Sequence, residues 1–388
     1  MVTKLPPAAQ SPAKNRWLFI LGRETVLSFA EIKALFLLNN INYQIINNQE
    51  NKLIVDIDHF PDAKDLIKKL GGTIKIAYSI GKIKNPPQLA KFLNEYIKEG
   101  KIEFSINGSM SLGIETKKIL KQLGRSARYI EAKNSATVIY NNLIKNGADI
   151  EIYQDELFLT AAIQSIDDFS KRDFGRPGRD DESGMLPPKL AMIMINLAVT
   201  KTDKTIFDPS CGSGTIVSEA VLMGYKKIIA TDISDKAVDD TIKNLQWLKT
   251  NFQIQHNTDD IKIFVGDVTK ISQKIKIESV DAIITEPYLG KPLRGNESGL
   301  VLEQQATELK KLYLQSFVQF HKILKNDGAV IFIIPRFKTR DGWVKIECED
   351  EIKKLGFENN CILEEQKHLL YWRETQHVGR EIWRFKKI

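Results

Sequence analysis

The segment 206–215 (IFDPSCGSGT) places an acid, Asp208, near the end of an apolar run, with Gly212 and Gly214 just beyond it. Glycine lets a backbone approach a ligand closely, and a helix N-terminus offers free N–H groups. That chemistry suits a nucleotide-type ligand, although a plain strand-to-helix turn uses the same residues. Asp232 ends the next apolar run, 24 residues on from Asp208. This is near the spacing of an acid that holds ribose hydroxyls; a surface acid or a helix cap would read alike. Asp267 follows Gly266 at the end of a third run, and Glu286 ends a fourth in 281–290 (DAIITEPYLG). A carboxylate there can accept a hydrogen bond from an amino group, and Tyr288 can stack on a planar base. The competing reading of that segment is a strand end followed by a proline turn.

Acids at the ends of consecutive strands converge on one crevice in an open α/β sheet. The second half of the chain has that alternation. Strands are expected at 206–208, 227–232, 261–267, 281–286 and 329–335, and helices from Gly214 and Asp235, at 303–324 and at 346–355. The order predicts a doubly wound parallel sheet. Two last strands, 361–365 and 381–387, have only a loop between them and should pair antiparallel. The first half reads as smaller α+β pieces. Strands 17–21, 53–57 and 73–80 alternate with helices 27–38 and 63–70. A second piece has helices at 88–98, 116–123 and 136–146, with Gly147 as a C-cap, a strand at 102–112 and a hairpin at 150–153 and 156–163. Segment 170–184 (SKRDFGRPGRDDESG) mixes glycine, proline and both charges, which is linker composition.

Composition narrows the class. Hydrophobic residues are 43% and charged residues 27%, both close to globular averages, which argues against a disordered chain. Lys+Arg is 56 against Asp+Glu 49, a net charge of +7 that permits a nucleic-acid partner without demanding one. The longest charge-free apolar stretch, 190–200, is well short of the ~20 residues that span a bilayer. The N-terminal residues 1–15 lack an apolar core and read as a flexible arm, not a secretory signal. Three scattered cysteines, Cys211, Cys348 and Cys361, give no disulfide framework, so a reducing cytoplasmic setting is expected. His256, His321, His368 and His377 show no metal-ligand spacing, and no metal is expected.

The motifs DPSCGSGT, Thr231–Asp232, Gly266–Asp267 and TEPYLG together resemble a class I S-adenosylmethionine-dependent methyltransferase. The last is similar to the (Asp/Asn)-Pro-Pro-Tyr signature of amino-group methyltransferases. Segment 183–198 (SGMLPPKLAMIMINLA) and the tail 371–382 (YWRETQHVGREI) are similar to the tRNA guanine-N2 methyltransferases of the position-10 type, which carry a THUMP domain. Segments 124–129 (GRSARY) and 164–166 resemble the THUMP part more loosely. The resemblance implies a Rossmann-like methyltransferase domain, a parallel sheet with an antiparallel C-terminal strand, at 185–388. Before it would lie a ferredoxin-like α+β domain at 16–80, a THUMP-like domain at 81–166 and a linker at 167–184.

The same resemblance implies S-adenosylmethionine as cofactor and the N2 amino group of a tRNA guanine as target. Asp208, Pro209, Cys211, Gly212, Gly214 and Thr215 would form the loop around its methionine part. Asp232 and Ile233 would meet the ribose, and Asp267 and Val268 the adenine edge. Glu286, Pro287 and Tyr288 fall on the catalytic signature. Here the sequence departs from the family: Glu replaces Asp, and Tyr-Leu stands where Pro-Tyr is usual. Cys211 reads as a small buried residue in preference to a nucleophile. Candidate RNA contacts are Arg125, Arg128, Tyr129, Lys171, Arg172, Arg176 and Arg179; local pairing with Asp173, Asp180 and Asp181 is the alternative for the last four. Lys117, Lys118 and Lys121 read as a solvated helix face. Arg373 and Arg380 are left undecided. Two rival functions stay open: an amino methyltransferase acting on ribosomal RNA or DNA adenine, and a cofactor- and RNA-binding protein without catalysis. The sequence also leaves open a small activating partner protein, and it expects no membrane.

Overall fold

The computed structural model describes residues 15–83, 85–179, 185–254, 256–340 and 342–388. The expected arm at 1–15 and the end of the expected linker, 180–184, lie almost wholly outside them. The chain divides into two compact units.

The first unit holds one eight-stranded sheet. Its order is Tyr43–Gln49, Lys52–Ile57, Arg16–Leu21, Thr73–Gly81, Glu156–Ile163, Ala148–Tyr153, Ile102–Asn107, Ala127–Tyr129. The boundary expected near residue 80 falls inside this sheet, because Thr73–Gly81 pairs antiparallel with Glu156–Ile163. The strand expected at 102–112 stops at Asn107. Ser109 then caps the helix Met110–Gln122, accepting from the Leu112 N–H, so the helix starts earlier than its apolar pattern suggests. The helix expected at 136–146 is two helices, Ser135–Tyr140 and Leu143–Asn146, broken where Asn142 turns left-handed.

The second unit carries the parallel sheet. Its order is Ile261–Val265, Lys227–Asp232, Thr205–Asp208, Val280–Thr285, Leu324–Lys338, Val378–Lys387, Phe357–Asn359. The first five run parallel, and Val378–Lys387 lies antiparallel to both its neighbours. The strand expected at 361–365 sits instead at Phe357–Asn359, directly after the turn at Gly356. A short extra strand, Leu369–Tyr371, also pairs with Val378–Lys387. No helix among the described residues is long and apolar enough to cross a membrane.

Helices cover both faces of this sheet. In Asp235–Asn251, capped by Ser234, the buried positions Val238, Thr241, Leu245 and Leu248 recur at helical spacing. The long helix Gly299–Ile323 buries Tyr313, Phe317 and Phe320, and Phe317 meets Phe332, Phe357 and Phe385 edge-on at 5.2 to 5.4 Å. Such pairs contribute about 0.5–1.5 kcal/mol each beyond their buried area. In Pro188–Leu197 every residue but Lys189 is buried, as the apolar run 190–195 requires.

Two segments of the expected N-terminal domain belong to this second unit, namely Val26–Asn40 and Leu70–Gly72. Leu27, Ala30 and Ala34 pack into a core with Leu190, Met194 and Ala220. Glu31 is fully buried there and accepts from the Gly71 and Gly72 N–H groups and from Asn196 Nδ2, each at 2.8 Å. The expected linker is likewise ordered over much of its length. Ile166–Phe174 is a helix, with acids Asp167 and Asp168 in its first turn and cations Lys171 and Arg172 in its last.

Candidate active site

Parallel strands bring their carboxyl ends to one edge, and the four acids meet there. A cavity of about 580 Å³ opens at that edge, walled by Asp208, Asp232, Asp267 and Glu286 from four different strand ends. Pro209, Cys211, Gly212, Thr215, Ile233, Val268, Pro287 and Tyr288 complete the set of expected residues on its wall. Gly214 is not on the wall. It starts the helix Thr215–Leu222 with φ +79°, and a Cβ there would lie 2.7 Å from the Thr241 side chain. Its role is to turn the chain.

The loop between Asp208 and Thr215 is held from outside by polar groups that the motifs do not reveal. Thr241 Oγ1 donates to the Gly212 carbonyl at 2.7 Å. Asn244 Nδ2 donates to the Ser213 carbonyl at 2.7 Å and to the Gly178 carbonyl at 2.8 Å, while its Oδ1 accepts from the Gly178 N–H. Both residues are polar positions on the otherwise apolar buried face of the helix Asp235–Asn251, and that is the signal that would have found them. Asp232 also fixes the loop: its carboxylate accepts from the Gly212 N–H and the Ser234 N–H, both at 3.0 Å.

The acids differ in charge state. Asp208 is buried, and desolvation pushes it up to about 7, even though Thr285 Oγ1 and the Ser210 N–H donate to one of its oxygens. The nearby carboxylates of Asp232 and Glu286 push in the same direction. Asp267 is lowered instead, because the Thr269 hydroxyl and N–H both donate to it. Burial raises the Cys211 thiol, which removes thiolate chemistry and agrees with a packing role.

Glu286 is nearly buried and pairs with Arg380, whose Nε donates to Oε1 at 2.6 Å. Arg380 comes from the antiparallel strand Val378–Lys387, opposite Pro335. Oε2 of Glu286 has no hydrogen bond among the described residues. Tyr288 is 56% exposed, so its ring is free at the surface, while its carbonyl accepts from the buried Tyr313 hydroxyl at 2.7 Å. The pair Arg380 and Tyr313 thus fixes the segment Glu286–Tyr288 from two sides. Neither carries a local sequence signal, because each reaches the site only through the fold.

The expected RNA contacts do not gather. Arg172 is buried and paired with Glu219 at 2.7 Å, and Arg176 is buried with its guanidinium on Thr215 Oγ1 and Met185 Sδ. Both are structural, which corrects their assignment as RNA contacts: a buried guanidinium is not available to phosphate. Arg179 is half-buried and donates to the Asp173 and Phe174 carbonyls. Arg125 clasps Asn94 and the Ile97 carbonyl, and Tyr129 packs on Phe104. Arg128 is exposed, 3.5 Å from Glu103.

Residues 176–345 match the family described as an RMKL-like methyltransferase domain. The C-terminal part is a class I S-adenosylmethionine-dependent methyltransferase domain. The match begins at Arg176, inside the expected linker, where Arg176 and Gly178 bond to Thr215 and Asn244. A tRNA (guanine(10)-N2)-dimethyltransferase of Methanocaldococcus jannaschii is 24% identical over 86% of this chain and 93% of its own length. One of the same name from Methanothermobacter thermautotrophicus is 30% identical, over 40% of each chain, so that match spans less than half of the relative. TrmN from Thermus thermophilus shares the fold, with a TM-score of 0.52 at 14% identity over 96% of this chain and 100% of that one.

The residues fit the cofactor that this domain class uses. A Cβ on Gly212, at φ +52°, would meet no atom within 4 Å, so the backbone is open toward the cavity. Acceptors at Asp232 and Asp267 suit ribose hydroxyls and an adenine amino group, and buried Asp208 suits a cationic amino acid.

Proposed function

We propose that this chain is a tRNA methyltransferase that places a methyl group on the N2 amino nitrogen of a guanine, position 10 being the favoured site. The observation that carries this reading is Glu286. Its carboxylate stands on the wall of the cofactor cavity with one oxygen held by Arg380 and the other free to accept a hydrogen bond. The names of the relatives from both organisms support the choice of tRNA and of guanine N2. The looser THUMP resemblance of residues 81–166 supports a tRNA partner, and a cytoplasmic setting belongs to the same reading.

S-adenosylmethionine supplies an electrophilic methyl group on a sulfonium. Asp208, Asp232, Gly212, Asp267 and Val268 would hold it. The exocyclic nitrogen of guanine is a poor nucleophile, because its lone pair is delocalised into the ring. Glu286 and the Pro287 carbonyl would accept hydrogen bonds from the amino group, which localises the lone pair and orients it. Tyr288, exposed at the mouth, would stack on the base after it leaves its helix, a step that costs a few kcal/mol. The cavity would also hold the base against the methyl donor, which removes part of the entropic barrier to transfer.

The test is kinetic. Glu286→Gln keeps the shape and removes the charge. Methyl transfer should fall by about 10²-fold or more with cofactor affinity unchanged, comparable to removing one preorganised hydrogen bond to a transition state. Transfer near the wild-type rate would refute the role.

A further inference from the structure

We propose that the end of the antiparallel strand pair Leu324–Lys338 and Val378–Lys387 is a docking surface for the phosphate backbone of the RNA strand that carries the target base, with Lys338 and Arg373 as its exposed cations and Arg336 beside them. This rests on the RNA reading above and adds the place where the methyltransferase domain itself grips the strand.

The strand pair brings the residues together. Leu324–Lys338 and Val378–Lys387 pair antiparallel, with Pro335 opposite Arg380, Arg336 opposite Gly379 and Phe337 opposite Val378. Trp343–Lys345 adds to the same end, Lys338 pairing with Trp343. Arg380 pairs with Glu286, so this strand pair runs on from the proposed catalytic carboxylate. Lys338 lies three residues beyond Pro335, about 10 Å along the strand.

Two tryptophans organise the cations. The Arg336 guanidinium lies 4.1 Å from the Trp343 ring centre, and Lys338 Nζ lies 4.9 Å from that of Trp372. The two rings meet edge-on at 5.2 Å, and Trp372 Nε1 donates to the Gln376 carbonyl. Arg373 is exposed and donates to the Tyr371 hydroxyl at 2.9 Å. A cation resting on an aromatic face keeps its charge outward and has less freedom to lose on meeting phosphate. Neither Lys338 nor Arg373 forms an ion pair among the described residues, in contrast to Arg172. In sequence, 336–345 carries Arg336, Lys338, Arg340 and Lys345 against the single acid Asp341. The cavity is walled by carboxylates, and none of these cations lies on its wall. A polyanion approaching the site is drawn to the end of the strand pair and repelled from the cavity, which leaves only the uncharged base to enter it.

The experiment is a salt titration of tRNA binding by the full chain and by Lys338→Ala, Arg373→Ala and the double variant, between about 50 and 200 mM salt. Each single variant should bind tRNA several-fold more weakly, with the slope of log affinity against log salt smaller by about 0.7–0.9 for each phosphate no longer neutralised. Cofactor affinity and kcat at saturating tRNA should stay within about twofold of wild type, since a phosphate grip sets affinity and not the chemical step. Lys249→Ala, on the exposed part of another helix, should change nothing. Wild-type affinity and slope in the double variant would overturn the docking surface. A flat salt response of the wild-type chain would overturn the RNA reading itself, which is a different outcome.

Discussion

Glu286 works as half of a pair. Its side chain is one methylene longer than the aspartate of related signatures, and Arg380 fixes where that length goes by holding Oε1 at 2.6 Å. Arg380→Gln should lower kcat by about 10-fold, near 1.4 kcal/mol, with little change in cofactor affinity. Glu286→Asp should also be slow, because the shorter carboxylate loses its partner; single-turnover rates check both. Asp208 answers to pH. Its ordinary value is 3.8, and burial carries it to about 7, so the folded chain keeps a proton that the unfolded chain has released. Stability is then greatest below the lower value and falls as pH rises toward 7. Glu31, also raised to about 7, adds to the same slope. Asp208→Asn keeps an oxygen for Thr285 and Ser210 and removes the charge. It should raise stability at pH 8 by on the order of 2 kcal/mol and flatten the pH dependence, read by denaturant titration. The same change should weaken cofactor binding.

At the level of elements, the glycine loop is only as firm as the helix behind it. Asn244→Ala removes three bonds at once, to Ser213 and to both backbone groups of Gly178. A loss of about 1–3 kcal/mol in stability is expected for the buried groups left unpaired, with weaker cofactor binding measured by direct titration. The strand ends and their acids were legible in the sequence, because parallel strands must deliver their carboxyl ends to one edge. Arg380, Tyr313, Thr241 and Asn244 were not, since each acts across 25 residues or more of chain. The linker reading failed for a related reason. Composition shows that 170–184 is polar and glycine-rich but not that Glu219 waits, buried, for Arg172.

Across the whole molecule, a net charge of +7 conceals a division. Carboxylates surround the cavity, and several cations that composition would offer to RNA are spent inside the fold. Beside the site, exposed Lys338 rests on Trp372 and half-buried Arg336 on Trp343, while exposed Arg373 bonds to Tyr371. Domain boundaries show the same lesson: Val26–Asn40 and Leu70–Gly72, early in the chain, are part of the second unit and are tied to it by Glu31. The most direct test of the proposed activity is to incubate the full chain with S-adenosylmethionine labelled in its methyl group and with unmodified tRNA, then map the label to a nucleotide and an atom. The predicted result is label on N2 of a single guanine, abolished by Glu286→Gln. Label on an adenine, or no transfer by a chain that binds both cofactor and tRNA, would contradict it.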